Sequence, residues 1–83
     1  MNKVIIENKN NINLIKKDIN INEGKYIGEF KNRMRDRKGT MYFNNDDKYE
    51  GEFRNDKREG KGIIYYNDGD RYEGDWRNDK VVL

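Results

Sequence analysis

From Tyr26 onward, aromatic and polar positions alternate in a pattern that recurs. Tyr26 and Phe30, Tyr49 and Phe53, and Tyr72 and Trp76 form pairs with a glycine midway (Gly28, Gly51, Gly74), and the pairs begin 23 residues apart each time. A period of two puts residues i, i+2 and i+4 of a strand on one face. Tyr49, Gly51 and Phe53 therefore share a face, and Glu50, Glu52 and Arg54 take the other. A second strand is expected after Gly39 and again after Gly62. There Met41 and Phe43 share a face, as do Ile64 and Tyr66, while Thr40 and Tyr42, or Ile63 and Tyr65, lie opposite. Aromatic and β-branched residues suit such a pleated, half-buried surface. A repeat of fixed period means stacked units that bury their apolar faces against one another.

The turns follow from the residues between these runs. Asn67-Asp68-Gly69-Asp70 predicts a two-residue hairpin turn with positive φ at Asp68 and Gly69, and Asn45-Asp46 serves the same purpose one copy earlier. The stretch from Asn55 to Lys61 reads as a longer, polar loop. Arg37 replaces Gly60 one repeat earlier, which predicts a different backbone there. Aligning Gly24 with Gly69 sets Ile19 and Ile21 on the positions of Ile64 and Tyr66, so a capping strand is expected at about 17–22. Residues 1–18, rich in Asn, Lys and Ile, are expected to be a partly disordered flank. The array then spans 19–83: a half-repeat at about 19–25 and repeats starting near 26, 49 and 72, the last incomplete. Only Val81-Val82-Leu83 follow Asn78-Asp79-Lys80, so the strand at 71–77 is expected to have an open outer edge that invites strand addition or self-association. Gly28, Gly51 and Gly74 leave slots for rings from a neighbouring strand, and with Gly39, Gly62 and Gly69 they are assigned structural roles.

Composition narrows the chemistry. At 33% hydrophobic and 41% charged, the chain would approach disorder if its few apolar residues were not aromatic and in register. It has no cysteine and no histidine, which excludes disulfides, thiolate or imidazole metal sites and Ser-His or Cys-His catalysis. The Asn-Asp-Gly-Asp turn lacks the rest of a calcium-loop pattern, and Glu50 and Glu52 sit on an exposed strand face with no pocket to shift them. No enzyme activity, metal or cofactor is expected. No apolar run approaches a membrane span or a signal peptide, and the chain reads as intracellular. A net charge of +2, with Glu50, Glu52, Glu73 and Asp75 on the sheet, argues against nucleic acid as a partner.

Tyr49-Glu50-Gly51-Glu52-Phe53-Arg54-Asn55 through Gly60-Lys61-Gly62, followed by Asn67-Asp68-Gly69-Asp70-Arg71-Tyr72-Glu73-Gly74-Asp75-Trp76, resembles the MORN (membrane occupation and recognition nexus) repeat. Residues 24–80 carry the likeness. Phe30 and Phe53 stand where the family has Trp, Arg37 and Asp46 where it has Gly, and Met41 where it has an aromatic. The resemblance implies an all-β fold, an elongated single-layer antiparallel sheet of stacked β-hairpins with an aromatic groove. It also implies scaffold, membrane-proximal or cytoskeletal roles, phosphoinositide binding in some relatives and lipid-kinase regulation in others.

Two candidate surfaces emerge. Lys31, Arg33, Arg35, Arg37 and Lys38 against Asp36 give a local charge of +4, and Arg54, Lys57, Arg58 and Lys61 against Asp56 and Glu59 give +2. In an antiparallel ribbon both stretches fall on one edge. Cations near an anionic leaflet contribute roughly 1 kcal/mol each, so this edge is the candidate for anionic phospholipid. The opposite edge, at Asn44 to Lys48 and Asn67 to Arg71, is weakly acidic. The aromatic face, with Tyr49, Phe53, Phe43, Tyr66, Tyr72 and Trp76, is the candidate for a protein partner.

Overall fold

Asn32-Arg33, Asn55-Asp56 and Asn78-Asp79 all adopt positive φ, 53° and 66°, 50° and 70°, and 49° and 70°. Two consecutive left-handed residues make the turn that matches strand twist, and asparagine enters that region at low cost. Each pair therefore closes a tight hairpin. The computed structural model describes the backbone of residues 5–6 and 14–83 and the side chains from residue 17 on. Most of the asparagine-rich flank assigned to 1–18 thus lies outside the described residues. The strands are β1 (Ile5–Ile6), β2 (Leu14–Ile21), β3 (Gly24–Lys31), β4 (Met34–Phe43), β5 (Lys48–Arg54), β6 (Lys57–Tyr65), β7 (Arg71–Arg77) and β8 (Lys80–Val81). Among the described residues they form one antiparallel sheet in chain order, a meander with no helix. Its extents of 39 × 27 × 16 Å fit a single layer with side chains on both faces.

The two kinds of turn are the reverse of those read from the sequence. The loops at 44–46 and 67–69 each have three residues. Gly69 N–H donates to Tyr66 O at 3.0 Å and Tyr66 N–H to Asp70 O at 2.8 Å, and Phe43, Asp46 and Asp47 repeat the pattern. Only the third loop residue, Asp46 (φ 74°) or Gly69 (φ 98°), is left-handed, as in a type I turn followed by a bulge. Asn55 to Lys61 is no loose loop, because Asn55-Asp56 complete the turn and β6 begins at Lys57.

The glycines after that turn work inside the strand. Gly51 faces Gly62 and Phe53 faces Arg58, so Glu59, Gly60 and Lys61 oppose Glu52 alone. This bulge needs positive φ at Gly60 (85°), and Arg37 takes the same conformation (61°) one copy earlier. The expected difference in backbone is absent: the ladders on either side fix the bulge and force arginine to comply. A left-handed non-glycine costs about 1–2 kcal/mol, of which glycine's extra chain entropy returns about 0.5–1. Arg37→Gly is therefore expected to stabilise the chain by about 0.5–1 kcal/mol, read as a higher denaturant midpoint with unchanged slope.

A row of glycines crosses the sheet: Gly28, Gly39, Gly51, Gly62 and Gly74 are paired in succession. The Tyr26 ring lies against Gly28 and Gly39, and the Tyr49 ring against Gly51 and Gly62. Thus the slots hold the tyrosine two residues back in the same strand as well as serving the next strand. Their hydroxyls donate to Glu29 O (2.9 Å) and Glu52 O (2.7 Å). Around them the rings run edge to face as Phe30, Tyr26, Phe53, Tyr49, Trp76 and Tyr72, with centroids 4.9–5.8 Å apart. Such contacts add about 0.5–1.5 kcal/mol each beyond area burial. With Met41 and Ile64 these rings are the core, and Tyr26, Met41 and Tyr49 are 0% exposed. The Trp76 indole N–H donates to Gly62 O at 3.1 Å. Burial pushes the Tyr49 hydroxyl up to about 12, against the pull of Arg58, and raises Tyr26 further, so both stay neutral donors.

Candidate functional site

The turns 32–33, 55–56 and 78–79 share one edge of the sheet. An arginine two residues after one turn grips the aspartate of the next. The Arg35 backbone N–H and Nε donate to Asp56 Oδ1 at 3.0 and 2.7 Å, and its Nη2 donates to Asp56 O at 2.7 Å. Asp56 N–H returns a bond to Arg35 O at 3.0 Å. Arg58 makes the same set to Asp79, with Nη2 to Asp79 O at 3.0 Å and Asp79 N–H to Arg58 O at 3.0 Å. The guanidiniums also lie over rings, Arg35 at 5.1 Å from Phe53 and Arg58 at 4.6 Å from Trp76. These two arginines are built into the fold.

Burial tends to raise the Asp79 carboxyl, but the hydrogen bonds from Arg58 outweigh it and hold the group below the usual carboxylate range. A depressed folded value stabilises the chain above the unfolded value, and that stability is lost as pH falls through the folded one. Asp79→Asn is therefore expected to be less stable than the wild type at neutral pH. The gap should close as pH drops below the ordinary 3.8, which paired thermal melts across acid pH will read.

The other sequence-derived cations divide. Exposed Arg37 lies 3.7 Å from Glu29, whose side chain is mostly covered, and Lys61 pairs with Asp75 on exposed surface. Hydrogen bonding to Asp75 raises the Lys61 ammonium. Lys38 is exposed on the reverse of the ring face. Lys31, Arg33, Arg54 and Lys57 flank or form the turns of the arginine edge, and Arg54 is paired in register with Lys57. Arg77 and Lys80 flank the third turn in the same way and were missed as candidates, although they sit one repeat after Arg54 and Lys57. Arg33, Arg54, Lys57, Arg77 and Lys80 form no ion pair with another described residue. The Arg-to-Asp interval of 21 residues, present twice, was the signal for the clasp.

The opposite edge carries Glu23, Asp46, Asp47, Asp68 and Asp70 in its loops. Asn44 Nδ2 donates to Asn22 O (2.8 Å) and Asn67 Nδ2 to Asn45 O (2.7 Å), tying each loop to the one before. Asp47 Oδ1 accepts Asn67 N–H at 2.8 Å. The sheet is thus polarised from edge to edge.

Of the aromatic candidates, Tyr49, Phe53 and Trp76 are buried in the core, Phe43 and Tyr72 lie half-buried at its margin, and Tyr66 is exposed at a loop. At the C-terminal end the outer edge is partly covered: β8 pairs Val81 with Trp76 and Lys80 with Arg77, and Val82 N–H donates to Asp75 O at 2.9 Å. Among the described residues, Arg71–Gly74 have no outer strand. No helix among them is long and apolar enough to cross a membrane.

Among curated proteins none matches the chain. The family model for the MORN repeat does, at residues 26–48, 49–71 and 72–80. Each matched unit opens on a tyrosine of the ring ladder, and the matches cover about two thirds of the sequence. Such repeats are non-catalytic modules for contact with membranes or proteins. Ring ladder, glycine row and matched units share one period, and the chain belongs to the MORN repeat family.

Proposed function

We propose that this chain is a peripheral module that meets anionic phospholipid surfaces along the arginine edge. The observation that carries this reading is the strip of cations at the three tight turns, Lys31, Arg33, Arg54, Lys57, Arg77 and Lys80, where the turn carboxylates Asp56 and Asp79 are taken up by Arg35 and Arg58. The lipid-facing set differs from the sequence candidates, since Arg35 and Arg58 are committed to Asp56 and Asp79. Turns that protrude along one line let several cations reach the headgroups together, at roughly 1 kcal/mol each.

Co-sedimentation with phosphatidylcholine vesicles, with and without phosphatidylserine or phosphoinositide, tests it across a salt series. Binding is expected to need the anionic lipid and to fade as the screening length falls from about 10 Å at 0.1 M to about 3 Å at 1 M. Arg54→Glu with Lys57→Glu should weaken it by more than about tenfold. Pelleting that ignores lipid charge, or that survives both substitutions, overturns the reading. A second reading, a protein scaffold or a regulatory part of a larger MORN protein, is favoured by the unpaired backbone at Arg71–Gly74 beside the half-exposed Tyr72. A partner strand added there would protect those amides from exchange.

A further inference from the structure

The three tight turns of the arginine edge are not alike. Each has a cation at the end of one strand (Lys31, Arg54 or Arg77), an asparagine, a second turn residue and the residue that opens the next strand. In the second and third turns the last two are Asp56-Lys57 and Asp79-Lys80, and each aspartate is clasped by Arg35 or Arg58. In the first turn they are Arg33-Met34. A cation thus stands where the other turns carry a carboxylate, and Arg33 forms no ion pair with another described residue. Lys31 and Arg33 give the first turn a charge of +2, whereas its aspartate reduces each of the others to +1. Met34 takes the place of Lys57 and Lys80, is paired with Lys31 and is 36% exposed. The other exposed large apolar side chains among the described residues, Ile27, Tyr42, Tyr66, Val82 and Leu83, lie outside the tight turns.

We propose, resting on the lipid reading above, that Met34 is the apolar anchor of the membrane contact and that the first turn enters deepest. A lone exposed methionine needs no explanation on a surface that stays in water. This one sits between Lys31 and Arg33 on the edge assigned to lipid. An apolar side chain there enters the boundary between headgroups and acyl chains, while the long stems of its neighbours keep their charges among the phosphates. Charge and apolar exposure select the same turn independently: it has the highest net charge of the three and the only large apolar side chain. The first and third turns are four strand spacings apart, about 19 Å. A tilt of about 15° therefore sets Met34 about 5 Å deeper than Lys80, the depth at which an interfacial apolar group is buried. The second and third turns, with lysine in the place of Met34, stay at the level of the headgroups.

The chain has no cysteine, so Met34→Cys and, separately, Lys80→Cys each create a unique site for the environment-sensitive dye NBD. The labelled full chains are mixed with phosphatidylcholine vesicles containing phosphatidylserine, and pelleting is scored beside emission. The dye at 34 is expected to brighten and shift to the blue as the chain pellets, and the dye at 80 to change little. Unlabelled Met34→Gln, similar in length and equally exposed, should keep its thermal melt and bind the vesicles about fivefold more weakly, whereas Met34→Leu should bind like the wild type. Pelleting with the dye at 34 still in water, equal responses at 34 and 80, or wild-type affinity in Met34→Gln would each overturn the anchor and leave the lipid reading standing. A wild-type chain that fails to pellet with anionic vesicles would overturn both.

Discussion

Gly62→Ala is expected to cost about 3 kcal/mol or more, the upper end for overpacking, which is more than half the stability of a domain at the lower end of the usual range, about 5 kcal/mol. A Cβ on Gly62 would stand 2.2 Å from the Tyr49 hydroxyl oxygen and 2.4 Å from Cε1 of the same ring. The ring has nowhere to go. Phe53 and Trp76 hold it edge to face at 5.0 and 5.2 Å, and its hydroxyl is bonded to Glu52 O. Tyr49→Phe in the same chain should not rescue the variant, because the ring carbon remains in the way. Gly69→Ala makes the contrast: a Cβ there meets nothing within 4 Å, so only the left-handed backbone is penalised, by about 1 kcal/mol. Denaturant melts followed by Trp76 fluorescence separate the two. Equal costs would mean that the glycine row is not a ring seat.

Asp56→Ala is expected to cost about 2–3 kcal/mol. It leaves the Arg35 guanidinium, in a residue 8% exposed, without its carboxylate partner and unties one turn from the next. The range is set below that of a fully buried pair because the Asp56 side chain is itself about half exposed. Replacing Arg35 by methionine in the same chain should recover part of the loss, since a buried charge without a partner is worse than an apolar side chain. A double-mutant cycle reads the coupling directly. A loss below about 0.5 kcal/mol would reduce the clasp to an ordinary surface pair. The same reasoning bars Arg35 and Arg58 from any charge-reversal test of lipid binding, as their variants would fail through the fold.

The strands, their faces and the repeat were legible because a period of two and a period of 23 depend only on side-chain type. The turns were not. Asp68-Gly69 carries the stronger hairpin signal, but Asn55-Asp56 makes the tighter turn, because asparagine and aspartate also tolerate the left-handed region and the clasp from Arg35 holds Asp56 there. Gly60 looked like a loop residue and is a bulge, and Gly62, read as the start of the second strand, is a ring seat. The basic edge was legible as a sum of charge. Which cations are free for a partner depends on pairings across 21 residues, so Arg35 and Arg58 were counted with the rest and Arg77 and Lys80 were passed over.

Spin-labelled anionic vesicles, added to the labelled chain at a lipid ratio where binding is in fast exchange, test most directly the proposal that the arginine edge meets the membrane. Line broadening is expected at the amides of 31–34, 54–57 and 77–80, with 44–47 and 66–70 left sharp. Broadening centred on the carboxylate loops, or spread evenly over both edges, would contradict the assignment of the arginine edge as the surface that meets the membrane.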